Sequence, residues 1–416
     1  MRARLRGLLS SKALAHGGLT FFLATSAISF LNFVFHVVLS RLMGPSRYGI
    51  LGALMNVFLV LSVPLAAIQA ATAQAEASRT TNGGGGVLVG RAVFRAFLIG
   101  IVIAGALMLA SPLLRNYLHL RSSLSVIILS VSLIPALVSA ILGGVLMGRF
   151  RFTPVAVALL AGTGIAKLIL GVLLVELGAG VAGAIAAAVI GQIITTVLLM
   201  VPLLGELKPS GGRPSGIGLR EGVLSILSLV GFWVLASEDM VLSRHFLPSR
   251  QAGLYAAAAT AGRIALFLPG AIAAIAFPRF SLQNGRGRAA REALRWSMAG
   301  TIVLGFSASL VLVLAPNLVV NVLFGSNYLG ATGALRILGL ESAVLGVVTL
   351  LIYFHLARES YQCLYGWAGA VVAFIGIELF HSSMTAIATD MFVSSVVVVV
   401  VLAITPIRRL PVEVLS

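Results

Sequence analysis

The chain is expected to be an all-α integral membrane protein, with about twelve transmembrane helices in two six-helix bundles related by a pseudo-two-fold axis along the membrane normal. Three observations predict this. Its 416 residues are 59% hydrophobic and 10% charged, with a mean hydropathy of +1.08, whereas a soluble domain is about 25% charged. Apolar runs of roughly 20 residues, enough to cross about 30 Å of hydrocarbon, recur along the whole chain. The phrase Val38-Leu39-Ser40-Arg41, with Pro45-Ser46-Arg47, returns 203 residues later as Val241-Leu242-Ser243-Arg244 with Pro248-Ser249-Arg250, which marks a tandem duplication.

Twelve spans are read from the apolar runs: 17–40, 49–74, 93–114, 124–148, 155–177, 182–204, 222–243, 252–277, 296–319, 334–357, 364–384 and 389–405. Each repeat then holds an even number of crossings, so both copies enter from the same side and share an axis along the normal. The expected domains are a bundle over 1–205, a linker over 206–221 and a bundle over 222–416. Pro209, Gly211, Gly212, Pro214, Gly216 and Gly218 give the linker its turn chemistry. The first apolar segment runs directly into a second without an evident cleavage site and is expected to be a retained helix.

A formal net charge of +17 invites a nucleic-acid reading, but its distribution excludes one. Assigned to alternate faces of the twelve spans, 20 of the 29 Lys and Arg fall on the side of both termini and six on the other; Lys167, Arg263 and Arg336 lie within or at the edge of spans. This asymmetry is the positive-inside pattern. It predicts a membrane protein with both termini cytoplasmic, whose basic excess serves topology and anionic membrane lipids rather than nucleic acid.

Enzyme motifs are absent. The sequence has no His-Glu-x-x-His, no Gly-x-Ser-x-Gly and no paired-aspartate motif suited to a metal-bound nucleotide sugar. The run Gly83 to Gly86 lacks the Lys-Ser/Thr ending of a phosphate loop and reads as a flexible connection. A lone Cys363 rules out intrachain disulfides and cysteine-based metal cages. No metal and no cofactor are expected. His36, His355 and His381 are assigned packing or interfacial roles. Transport remains, since it needs two bundles, a site between them and a rocking motion, but no bond chemistry.

The repeated phrase has its own physics. Arg41 and Arg244 complement the carbonyl ends of their helices, Pro45 and Pro248 stop those helices, and Gly49 and Gly253 restart the chain. A structural turn is therefore expected in both copies. Pro64 and Pro269 are expected to interrupt the second helix of each half.

Ionisable groups inside spans carry the sharper information, because each costs a few kcal/mol at the bilayer centre unless paired or facing water. Lys167 and Arg263 fall near mid-depth, one in each half, and with Arg336 are the candidate contacts for an anionic headgroup; Arg can fork onto phosphate while Lys acts as a point charge. Asn32 and Gln192, with Asn56 and Gln69, offer uncharged polar groups for sugar hydroxyls or for bonds between helices. Glu378 is also placed near mid-depth, and Glu238, Asp239 and Glu341 nearer the outer side. These acids are candidates either for H⁺ or Na⁺ coupling or for static pairing with the cations.

The segment from Leu39 through Gly44-Pro45-Ser46-Arg47-Tyr48-Gly49 and its partner from Asp239 through Arg244 to Ala252-Gly253-Leu254-Tyr255 resemble the polysaccharide-biosynthesis flippases. This is the Wzx-type, polysaccharide-transporter branch of the MOP superfamily, which also holds MATE exporters and the lipid II flippase. Arg263 through Leu268-Pro269 to Phe277-Pro278-Arg279, and Leu323-Phe324-Gly325-Ser326-Asn327-Tyr328, extend the resemblance. It implies alternating-access flipping of an undecaprenyl-pyrophosphate-linked oligosaccharide to the outer leaflet, alongside glycosyltransferases and a glycan polymerase. Few deep cations occur in the first two spans, unlike the lipid II branch. The first acidic residue is Glu76, beyond the second span, whereas MATE exporters commonly use carboxylates in the first half. A cation-coupled drug or solute exporter is the alternative, with an integral-membrane glycan polymerase or ligase third.

Overall fold

In a computed structural model of the chain, residues 2–82, 89–206, 219–266, 272, 276, 280, 288–358 and 360–405 are described, with backbone alone at 2–20, 22, 78–82, 219–222 and 288–290. Among the described residues the chain is helical and contains no β-strand. The helices are α1 (Arg2–Asn82), α2 (Val89–Leu109), α3 (Ser111–Tyr117), α4 (Leu124–Val131), α5 (Leu133–Gly148), α6 (Phe152–Leu159), α7 (Lys167–Leu174) and α8 (Gly180–Met200). They continue as α9 (Leu219–Leu235), α10 (Glu238–Phe246), α11 (Ser249–Gly262), α12 (Arg288–Leu314), α13 (Pro316–Phe324), α14 (Thr332–Ala357), α15 (Tyr365–Leu379) and α16 (Met384–Ile404).

Nine helical stretches among the described residues are long and apolar enough to cross a membrane. Large apolar side chains such as Phe30, Val102, Leu173, Val303 and Ile404 lie exposed along them, as a lipid-facing surface requires. The chain is a multi-pass membrane protein. Two stretches, Leu23–Ala77 and Phe152–Glu206, are 55 residues each, or roughly 80 Å of helix where a crossing needs about 30 Å. Both are broken by glycine in the left-handed region: Gly44 (φ 72°) in the first, Gly178 (φ 88°) and Gly180 (φ 53°) in the second. No side chain has to be accommodated at those turns.

The repeated phrase forms a turn in both copies. In the first, the chain turns at Gly44 and helix resumes from Pro45; in the second, Leu247 is extended and Pro248 precedes α11. Pro64 does not interrupt its helix as expected, for Gly44 is the only non-helical position within α1. Its missing N–H leaves a local gap in the ladder, and one turn away the Ser62 hydroxyl donates to the Leu59 carbonyl. Pro269, the stretch 277–279, Gly83 to Gly86 and residues 207–218 of the linker lie outside the described residues.

The chain divides into two compact units, 1–42 with 64–222 and 43–63 with 223–416. The bundles expected from the duplication are contiguous in sequence, whereas these units exchange one segment, residues 43–63, which belongs with the second unit and contributes Tyr48, Gly49 and Asn56 to it.

In the first unit Leu142, Val145 and Leu146 of α5 pack with Val89 of α2, Val155 of α6 and Leu203. Gly144 and Gly148 let α5 meet the 69–76 turns of α1 backbone to backbone; a Cβ on either would stand within 2.6 Å of a carbonyl oxygen there. Small residues four apart are the usual means of such close approach in membranes. Beyond the end of α5, Arg149 donates to Glu76 (2.8 Å) and to both oxygens of Glu206 (2.6 and 2.7 Å). The hydrogen bonds to Glu206, with those to Glu76, hold its pKa above the usual arginine value despite partial burial.

In the second unit Gly49 and Gly253, which correspond in the repeat, face each other: a Cβ on Gly49 would lie 2.8 Å from the Gly253 nitrogen. Tyr48, fully buried, shares a hydrogen bond with Thr260 (2.9 Å) and packs edge-on against Tyr328. The Glu341-bearing helix α14 is the most buried of the nine stretches, and α11 approaches it where Gly262 meets the Leu338 carbonyl.

Candidate functional site

The sharpest polar construction in the second unit forms where a helix breaks. After α9 the backbone tightens, with Ala236 N–H donating to Phe232 O and Ser237 N–H to Val234 O, before α10 starts at Glu238. The break frees the Ala236 carbonyl from the regular ladder, and Arg263, immediately after α11, donates to it through Nη2 at 2.9 Å. Its Nη1 donates to Asn56 Oδ1 at 2.8 Å. Asn56 is fixed in turn, since its Nδ2 donates to the Gly52 carbonyl at 2.8 Å and lies 2.6 Å from Met240 Sδ.

Carboxylates surround this cation. Asp239, 5% exposed at its side chain, presents Oδ1 at 3.9 Å from Arg263 Nη2 and accepts a hydrogen bond on Oδ2 from the Tyr255 hydroxyl at 3.0 Å. Asp239 Oδ1 is buried without a hydrogen-bond partner among the described residues. Glu341 on α14 is buried and coupled electrostatically to both Asp239 and Arg263. Its nearest hydroxyls, Ser342 and Ser395, stand at 3.5 Å, the limit of a useful hydrogen bond. Glu238 also carries a buried, unpartnered oxygen. One guanidinium is therefore set among more than one carboxyl group.

The candidate in the first unit is built differently. A wide π-type stretch, Leu160–Ala166, precedes α7 and brings Lys167 against α1. Lys167 Nζ donates to Asn32 Oδ1 at 2.6 Å and sits 4.4 Å from the Phe35 ring centroid, a cation–π contact. Among the described residues no carboxylate pairs with it. Gln192 donates to the Ser139 hydroxyl at 2.8 Å and Gln69 to Met147 Sδ at 3.4 Å, so both tie helices together.

Two expected residues stand elsewhere. Arg336 is exposed on α14 and makes no ion pair or hydrogen bond among the described residues. Glu378 is not at mid-depth: α15 ends at Leu379, and Glu378 is exposed one residue before that end. The sequence reading ran this helix on to residue 384, past Phe380, but Ser383 caps the next helix by accepting from Ala386 N–H. His381 stacks on Phe246 at 4.2 Å, a packing role. The sequence argument missed Tyr255 and the Ala236 carbonyl as members of the cluster. Tyr255 carries a signal, being the one aromatic hydroxyl in an alanine-rich helix, a group that must find a partner when buried.

Comparison with known proteins places this architecture. Residues 38–332 match the family described as Polysaccharide biosynthesis protein. The chain belongs to that family. The family's stretch contains Asn56, Lys167, Asp239, Tyr255 and Arg263, and ends before Glu341. No curated protein matches the chain in sequence. Its fold is that of a multidrug resistance MATE family transporter of the MOP superfamily in an inward-facing conformation (TM-score 0.74, 15% identity, 90% of this chain and 93% of the other). It is equally that of the lipid II flippase MurJ in an inward closed conformation (TM-score 0.71, 14% identity, 92% and 86%). The eukaryotic MATE transporter AtDTX14 matches at a TM-score of 0.67 with 17% identity over 96% of both chains. These neighbours are transporters and flippases rather than enzymes.

Proposed function

We propose that this polysaccharide-biosynthesis family member flips an undecaprenyl-pyrophosphate-linked oligosaccharide from the cytoplasmic to the outer leaflet of a bacterial cytoplasmic membrane. In this reading two six-helix bundles of twelve crossings, with both termini cytoplasmic, alternate access to the headgroup. Glycosyltransferases supply the lipid-linked glycan and a polymerase consumes it. The observation that carries the reading is Arg263, a guanidinium held between Asn56 and the freed Ala236 carbonyl in a chain of this family. Its fork suits a pyrophosphate, and Lys167 offers a second point charge.

The carboxyl groups give the cycle its coupling. While Asp239 and Glu341 are ionised they compensate Arg263; when H⁺ or Na⁺ neutralises them, the guanidinium is left to attract the anionic headgroup. Alternation of those two conditions would link ion movement to headgroup capture and release. Glu238 is a further candidate for the same role.

The test is export of surface glycan in cells whose only copy carries Arg263→Ala or Arg263→Lys, with membrane abundance of the protein measured in parallel. Arg263→Ala is expected to reduce export at least about hundredfold at normal abundance, the order expected for losing a charge-assisted contact of a few kcal/mol, and Arg263→Lys to retain part of it. Unchanged export by the alanine variant would remove Arg263 from the mechanism. The buried carboxyls and the MATE-like fold favour a second reading, a cation-coupled drug exporter. Dye resistance on expression, with surface glycan unaffected by deletion, would select it.

A further inference from the structure

Away from these clusters, the first unit contains a cavity of about 820 Å³ between α2, α5 and α8. We propose that it binds an anionic phospholipid, with the phosphate at Arg91 and Arg95 and one acyl chain in the groove. This inference stands apart from the flipping reading.

The chemistry of the walls changes along the groove. At its mouth Arg91 and Arg95, four residues apart on one side of α2, are both exposed. Below them the lining is apolar, with Phe94 and Phe97 on α2 opposite Ile134 and Val138 on α5. The Thr196 hydroxyl in the wall already donates to the Pro135 and Gln192 carbonyls, so it asks for no polar ligand. None of the described lining residues is acidic. A basic mouth over an apolar slot between membrane helices is the arrangement that takes a lipid phosphate.

Length selects the tail. On α2 the lining runs from Gly90 to Phe97, seven residues or about 10 Å of helix, which lies within half of the roughly 30 Å hydrocarbon core. One turn further, at Gly100, the two helices touch, since a Cβ there would lie 2.9 Å from Ile134 Cα. The slot therefore stays within the depth of one leaflet. That fits an acyl chain of a phospholipid, whereas a long polyprenyl chain would have to leave it.

The experiment is native mass spectrometry of the full chain, titrated with phosphatidylglycerol or phosphatidylcholine of matched acyl chains. Wild type is expected to hold phosphatidylglycerol about thirtyfold more tightly, equivalent to ~2 kcal/mol for two basic residues near the headgroup. Arg91→Gln/Arg95→Gln, its fold checked by melting in detergent, should keep a preference of about threefold or less. Arg91→Lys/Arg95→Lys should restore most of it. Equal binding of the two lipids by wild type, or an intact preference in the glutamine variant, would overturn the proposal. Displacement of phosphatidylglycerol by undecaprenyl phosphate at equal concentration would also overturn it, in favour of a polyprenyl occupant.

Discussion

Arg263 and Lys167 are each a cation in the interior of a membrane unit, yet they are held by opposite means. Arg263 donates to an amide oxygen and a backbone carbonyl and has Asp239 within 3.9 Å. Lys167 has one amide oxygen and the face of Phe35, with no carboxylate among the described residues. The difference separates a cation with a carboxylate beside it from one without, which residue type alone does not reveal. Arginine's better fork and lysine's freer field pull the ranking of the two sites in opposite directions.

The comparison can be broken most directly through stability. Arg263→Met removes two hydrogen bonds and leaves Asp239 buried without its cation, so it should lower unfolding free energy in detergent by about 2 kcal/mol. A variant as stable as wild type would mean that the network holds little of the unit together. A double-mutant cycle of Arg263→Met with Asp239→Asn should then give a coupling of about 1 kcal/mol, modest because 3.9 Å is long for a hydrogen-bonded pair. Zero coupling would assign the anchoring of Arg263 to Asn56 and Ala236 alone. The smallest effect belongs to Lys167→Met, which exchanges one interhelical hydrogen bond and a ring contact for removal of a desolvated charge. A change below about 0.6 kcal/mol of either sign is expected from denaturant titration. A loss as large as that at Arg263 would erase the distinction between the sites.

The membrane class and the duplication were legible because each depends on composition or on a repeat within the sequence. Lys167 and Arg263 stand out in apolar runs, where the cost of a charge makes it conspicuous. What surrounds them was not legible. Asn56 reaches Arg263 across 207 positions, and no period or spacing connects them. Glu378 lies at a helix end that the apolar run through Phe380 hides; Ser383, the cap that fixes the next start, is the sequence mark of that end. Pro64 was read as a break by residue type, while the actual break belongs to Gly44, the one position there with positive φ. The exchange of residues 43–63 between units is a tertiary fact that contiguous repeats conceal.

The meeting of Gly49 with Gly253 has a consequence for how this protein can vary. The two positions occupy the same place in the two copies of the repeat, and neither has room for even a methyl group: a Cβ on Gly49 would meet the Gly253 backbone, and one on Gly253 would meet the Pro45 carbonyl. The turn of one copy is thus pressed against the turn of the other, and the constraint falls on both: neither glycine can be enlarged without displacing backbone that belongs to the opposite copy. Duplication ordinarily frees one copy to diverge. At this seam it has the reverse effect, binding the two histories together at the point where they touch.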